Sequence, residues 1–145
     1  MFGDDCAEDN VSPQRDHGYL WRMSQPSPAI GVFVTPVTPL QQNCTTVWCT
    51  RTLKAAVIDP GGSVDAIIAE VARRGLTLDQ IWITHGHLDH AGGAAEMQEK
   101  SGAPIIGPHP EDQFWIADLP EHGQRWAFPM REPSSRLAGW TTGTP

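Results

Sequence analysis

The apolar positions change period along the chain, and each period predicts a different element. From Ile30 onward Val32 and Val34 stand two apart, and residues 45–49 and 53–58 are again rich in β-branched and apolar side chains. That period predicts strands. Pro36, Pro39, Gln41, Gln42 and Asn43 fall in the first connection, and Arg51 and Thr52 in the second, which together predict a β-meander. Asp59-Pro60-Gly61-Gly62 ends the third strand. Proline breaks the ladder there, and glycine admits the positive φ of a sharp turn.

The period then lengthens. Val64, Ile67, Ile68 and Val71 follow i, i+3, i+4, i+7, which predicts a helix over 63–74 with one buried face. Ser63 is a suitable N-cap, Asp65 and Glu70 precede Arg73 and Arg74, and Gly75 is the stop. Leu76 to Asp79 leads into Ile81-Trp82-Ile83, read as the end of a buried strand, so strand, helix and strand form a βαβ unit. A second helix is expected over 91–100, with Ala94, Ala95 and Met97 inward and Glu96, Glu99 and Lys100 outward. Gly102 stops it, and Pro104-Ile105-Ile106 is a short strand. His109-Pro110-Glu111-Asp112 opens a last short helix through Phe114, Trp115 and Ile116.

Outside 29–128 the periodicity fails. Residues 1–28 are polar and proline-containing and are expected to be disordered, with Met23 as an alternative start. Residues 129–145 form a tail with no apolar period.

Composition narrows the class. At 145 residues and 39% hydrophobic content the chain fits one domain with a modest core. A net charge of −7, with few unclustered Lys and Arg, argues against a nucleic-acid partner. No apolar run reaches membrane-spanning length and the N-terminus lacks a signal-peptide pattern, so a soluble cytoplasmic protein is expected. Three cysteines show no zinc-type pairing. Cys44 and Cys49, five apart on one strand, would face opposite sides as buried reduced thiols.

The candidate chemistry sits directly after the apolar run. Thr84-His85-Gly86-His87-Leu88-Asp89-His90 places three of the six histidines and an aspartate within six residues. On a strand, alternation would turn His85 and His87 the same way, so that one ion could lie between two imidazoles. Asp89 and His90 follow as the chain turns. Imidazole with carboxylate suits Zn²⁺, with Fe or Mn as alternatives, and the absence of a local cysteine argues against a closed structural zinc site. His109 and His122 read as surface or capping positions.

This block resembles the signature of the metallo-β-lactamase fold hydrolases. Gln42-Asn43-Cys44, Ile58-Asp59-Pro60-Gly61-Gly62, Gly107-Pro108 and Phe114-Trp115 look like the glyoxalase II-like branch, whose members hydrolyse thioesters such as hydroxyacylglutathione. The resemblance implies an α/β fold, the αββα sandwich, with its first βα half present and its second missing. It implies two ions, His85 and His87 serving one and Asp89 and His90 the other, with Asp89 as the candidate catalytic side chain. Asp59 is by itself a plain turn residue or a supporting one; the resemblance favours support beside the pocket, with Thr84 in the same role. It implies a small-molecule thioester substrate attacked by a hydroxide activated between the ions.

The chain also departs from that pattern. The family's further histidines and bridging aspartate lie downstream, whereas here no histidine follows His122 and Glu132 is the only acid after Glu121. Permitted codons for Ala138 to Pro145, read two bases in, give Trp-Leu-Asp-Asp-Gly-Asp-Thr, which looks like the family's continuation. A frameshift near Phe128 is therefore expected, and the 145-residue chain is expected to be inactive or nearly so. Lactone, β-lactam or phosphodiester hydrolysis, persulfide oxidation on a single iron, or a non-catalytic metal-binding fragment are the alternatives.

Overall fold

The computed structural model describes residues 29–125. The expectations for 1–28 and for 129–145, the frameshift among them, lie outside the described residues, as does Cys6.

Five strands form one sheet in the order β1-β2-β3-β4-β5. Strands β1 (Ile30–Val37), β2 (Gln42–Cys49) and β3 (Lys54–Ile58) are antiparallel neighbours, the predicted meander. The first connection is shorter than the sequence suggests. Pro36 pairs with Asn43 and Val37 with Gln42, leaving a tight turn in which Gln41 N–H donates to Thr38 O at 3.1 Å. Thr38 and Gln41 both take positive φ there. Pro36 is tolerated because β1 is the sheet edge and one of its sides needs no donor.

Helix α1 (Val64–Arg73) carries the chain over to β4 (Thr77–Trp82), which runs parallel to β3 and completes the βαβ unit. Ser63 occupies the N-cap, but its hydroxyl makes no capping bond because its backbone is left-handed, with φ 54°. Glu70 instead ties down the last turn, accepting from Arg73 Nε at 2.7 Å and Arg74 Nε at 2.6 Å. Strand β4 begins earlier and ends earlier than expected, so His85 and His87 lie in the loop beyond it and not on strand. The predicted second helix is two pieces, α2 (Leu88–Ala91) and α3 (Ala94–Ser101), broken at Gly92 and Gly93. Strand β5 (Ile105–Ile106) adds parallel to β4, and a 3₁₀ turn (Pro110–Asp112) leads into α4 (Gln113–Arg125). That last helix is longer than predicted and contains Pro120.

One core lies between the sheet and the helices. Ile67 of α1, Ile81 of β4, Met97 of α3 and Ile105 of β5 are fully buried within it. Each large side chain so buried contributes about 1.5–3 kcal/mol. The βαβ unit, not the β1–β2 hairpin, is thus the kernel of the fold; of β1 only Val37 is fully buried. The other face of the sheet is uncovered among the described residues. Ile30, Val32 and Val34, which alternate with inward positions on β1, are more than half exposed, and Trp82 is 39% exposed. Among the described residues no helix is long and apolar enough to cross a membrane.

Candidate metal centre

Because β3 and β4 are parallel and in register at Ile58 and Trp82, the chain leaves both at the same edge of the sheet. Asp59 follows β3 immediately and Thr84 follows β4 by two residues. Asp59 takes a left-handed backbone, φ 53°, and its N–H donates to Trp82 O at 2.9 Å. Aspartate tolerates this conformation better than most residues, and such outliers gather at functional sites.

The Asp59 carboxylate is buried and fully engaged. Its Oδ1 accepts from Thr84 N–H at 2.8 Å, and its Oδ2 accepts from the Thr84 hydroxyl at 2.6 Å. Oδ2 also lies 3.0 Å from His90 Nδ1. These contacts fix protons on the neighbouring rings. An ionised carboxylate only accepts, so His90 Nδ1 must carry the hydrogen it gives to Asp59. The Thr84 hydroxyl spends its one proton on Asp59, so its contact with His85 Nδ1 at 2.9 Å is a bond donated by His85. Both rings are thereby held as Nδ1–H tautomers with bare Nε2 atoms. That is the arrangement by which outer carboxylates orient metal-ligating imidazoles. Asp59 and Thr84, the residues expected to support the pocket, are both hydrogen-bonded to these rings.

Each bare nitrogen lies beside a further side-chain atom that can ligate a metal. His85 Nε2 is 3.1 Å from His87 Nδ1, and His90 Nε2 is 3.5 Å from Asp89 Oδ2. The His85 and His90 ring centroids are 4.0 Å apart, which brings the two pairs together. Asp59, His85 and His90 also have ligand atoms within 4.8 Å of one another. Both Asp59 oxygens are occupied by hydrogen-bond donors, so that carboxylate serves the two rings. Zn–N bonds of about 2.0–2.1 Å in a tetrahedral site set two ligating nitrogens roughly 3.3 Å apart. The 3.1 Å separation of His85 Nε2 and His87 Nδ1 fits a single small ion. Burial, then the neighbouring His90 and His87, holds the His85 pKa below the ordinary imidazole value, against the opposing pull of Asp59 and Asp89. A neutral ring keeps its lone pair available.

The loop is fixed by close backbone contacts. A Cβ on Gly61 would lie 1.6 Å from Asp89 O, and one on Gly93 would lie 2.4 Å from Pro60 O. Gly93 N–H donates to Pro60 O at 2.9 Å. The glycines of the 59–62 turn therefore serve close approach, whereas the positive φ values fall on Asp59 and Ser63. Gly86 is likewise a matter of space, since its Cβ would meet Trp115 Cβ at 2.6 Å. His87, the N-cap of α2, sets its ring edge-on to Trp115 with centroids 4.8 Å apart.

Among the described residues, two histidines stand apart from the pairs. His109 Nδ1 accepts from Glu111 N–H at 3.3 Å, a capping bond at an exposed turn. The His122 ring packs against Trp115, with centroids 5.8 Å apart. Of the cysteines, Cys44 is buried while Cys49 is only partly so, contrary to the expectation of two buried thiols. Burial, and then the charge of Asp59, pushes the Cys44 thiol up to about 12. It is no nucleophile at neutral pH. One contact escaped the sequence. Gln42, noted there only as part of a motif, places its side-chain amide 3.4 Å from His90 Nδ1.

Comparison with known proteins places this geometry. The family described as the metallo-beta-lactamase superfamily matches residues 37–138. The hydroxyacylglutathione hydrolase GloC of Haemophilus influenzae is 38% identical over 100 residues, covering 69% of this chain and 47% of that protein. A probable metallo-hydrolase of Bacillus subtilis, YqgX, is 33% identical over 88 residues, covering 61% of this chain and 40% of that protein. The chain thus spans less than half the length of these curated relatives. Among solved structures, TTHA1623 in a di-iron-bound form is 26% identical with a TM-score of 0.64, over 78% of this chain and 56% of that one. The B3 metallo-beta-lactamase BLEG-1 shares the fold at a TM-score of 0.62 and 24% identity, over 79% of this chain and 54% of that one.

Proposed function

The chain belongs to the metallo-beta-lactamase superfamily, and from that premise we propose that it is the metal-binding half of a hydrolase of thioesters of the hydroxyacylglutathione kind. The observation that carries the proposal is the bare His85 Nε2, 3.1 Å from His87 Nδ1, beside the second pair of Asp89 and His90. His85 and His87 would hold one ion, and Asp89 and His90 the other. Zn²⁺ suits this donor set, and Fe or Mn are the alternatives. When bound, the ions supply Lewis acidity to a carbonyl oxygen and lower the pKa of a water toward ~7. Everything else falls to the protein. Asp59 keeps a proton on His90 Nδ1 and, through the Thr84 hydroxyl, on His85 Nδ1, so both Nε2 atoms stay free to bind. Asp89 brings the carboxylate nearest to His90 Nε2 and is the side chain proposed to touch the reacting atoms. Cys44 is excluded as a nucleophile because its thiol stays protonated. The thioester reading draws on the relative named as a hydroxyacylglutathione hydrolase.

Two ligands per ion fall short of the three that a catalytic zinc ordinarily has. The 145-residue chain is therefore proposed to bind metal weakly and to turn over slowly or not at all. Titration with Zn²⁺ followed by a glutathione-thioester hydrolysis assay tests both points. Uptake of metal that is lost in a His85→Ala, His87→Ala double variant supports the reading. No uptake at millimolar metal by a folded chain overturns the metal assignment, and brisk thioester turnover overturns the proposed inactivity.

A further inference from the structure

Gln42 opens β2 on the same face as the buried Cys44 and Thr46, and its side chain reaches His90 across 48 residues of sequence. The atoms there do not match as placed. Gln42 Nε2, a donor, faces His90 Nδ1 at 3.4 Å, while Oε1 is buried with no hydrogen-bond partner. His90 Nδ1 already carries the hydrogen that it donates to Asp59 at 3.0 Å. Two donors cannot satisfy one another. The two ends of a glutamine amide are nearly the same size, and the hydrogen-bond partners decide which end faces which.

We infer that Gln42 presents its carbonyl oxygen to His90 and is a positioning residue for the metal centre. With Asp59 on one side and the Gln42 carbonyl on the other, the Nδ1–H of His90 has an acceptor on each flank. The ring is then confined to the one orientation that leaves Nε2 beside Asp89. The turned amide puts its NH₂ group in the buried place without a protein partner, which lowers stability. A residue kept only for packing would lack that cost, since methionine fills the same volume without it. This inference rests on the proposed metal role, but its first test does not.

In the metal-free 145-residue chain, long-range ¹H–¹⁵N spectra are expected to show His90 protonated on Nδ1 and bare on Nε2. The opposite tautomer overturns the inference, whether or not any variant folds. Gln42→Met removes the acceptor. It is expected to weaken Co²⁺ binding, followed by visible absorption, by about tenfold to a hundredfold, with the metal-free melting temperature unchanged or raised. Gln42→Glu keeps an acceptor at the same reach and is expected to retain Co²⁺ binding near the parent level. Equal Co²⁺ binding by the parent and Gln42→Met overturns the inference, as does equal loss in both variants. A parent chain that binds no Co²⁺ overturns the proposed function instead, and the role of Gln42 is then read from the His90 ring: Gln42→Met is expected to shift its Nδ1–H and ¹⁵Nδ1 resonances, and unchanged resonances overturn the inference.

Discussion

Asp59 and His90 are joined at 3.0 Å between the turn after β3 and the short helix α2, 31 residues apart in sequence. The same carboxylate holds both the backbone and the hydroxyl of Thr84. One buried side chain therefore sets the tautomers of two imidazoles. Asp59→Ala is expected to reduce metal affinity by about tenfold to a hundredfold, as removal of an orienting partner does. It should also cost roughly 1–3 kcal/mol of stability, because the Thr84 N–H and the His90 Nδ1–H lose their acceptor. Co²⁺ titration and urea unfolding of the same preparation measure the two effects. Unchanged affinity would remove Asp59 from the centre.

Gly61 separates two backbones that have no room for a methyl group. Gly61→Ala is expected to displace the loop at Asp89 and to lower stability by about 1–3 kcal/mol or more. Urea unfolding checks the size, and Co²⁺ absorption checks whether the Asp89 and His90 pair survives. Gly75→Ala is the control for a change outside the centre. Nothing crowds its Cβ, but its positive φ of 68° disfavours alanine, so stability should fall with metal binding intact.

Thr46 is 1% exposed and its hydroxyl has no hydrogen-bond partner. Thr46→Val keeps the shape and removes the orphan group. It is expected to raise stability by about 1 kcal/mol, read as a higher urea midpoint at unchanged slope. A fall in midpoint would mean that the hydroxyl has found a partner in solution.

The two described cysteines should separate by pH. Hydrogen bonds from Thr52, first from its side chain and then from its backbone, lower the Cys49 thiol to about 7. Burial, and then Asp59, raises Cys44 to about 12. Alkylation by iodoacetamide, located by peptide mapping, is expected to reach half its maximal rate on Cys49 near pH 7. Cys44 is expected to stay unmodified until the chain unfolds. The linkage signs are opposite. The contribution of Cys49 is complete above the unfolded thiol value of 9.0 and is lost as pH falls through about 7. That of Cys44 is complete below 9.0 and is lost as pH rises toward about 12.

Much of this was legible in the sequence, and the misses have physical causes. The helical period of Val64, Ile67 and Val71 and the β-branched runs located α1 and the meander, because each pattern reflects burial of one face. The density of histidine at 85–90 located the centre. The two errors beside it came from local geometry that periodicity does not encode. Alternation placed His85 and His87 on strand, but the parallel ladder ends at Trp82 and the loop itself brings the rings together. The helix expected over 91–100 breaks at Gly92 and Gly93, where the 59–62 turn packs against it. Gln42 was visible only as part of a motif, since a contact 48 residues away leaves no local signal.

The alternation along β1 also separates two kinds of freedom. Phe33 and Val37 pack against the core, while Ile30, Val32 and Val34 face away from it. Side chains on the outward set lie on the face that the second sheet of an αββα sandwich covers, so exchanging them for threonine or lysine tests that face while leaving the helix-side core alone. The parity of a residue number on this strand thus tells a protein engineer which positions serve the helix-side core and which serve the opposite face of the sheet.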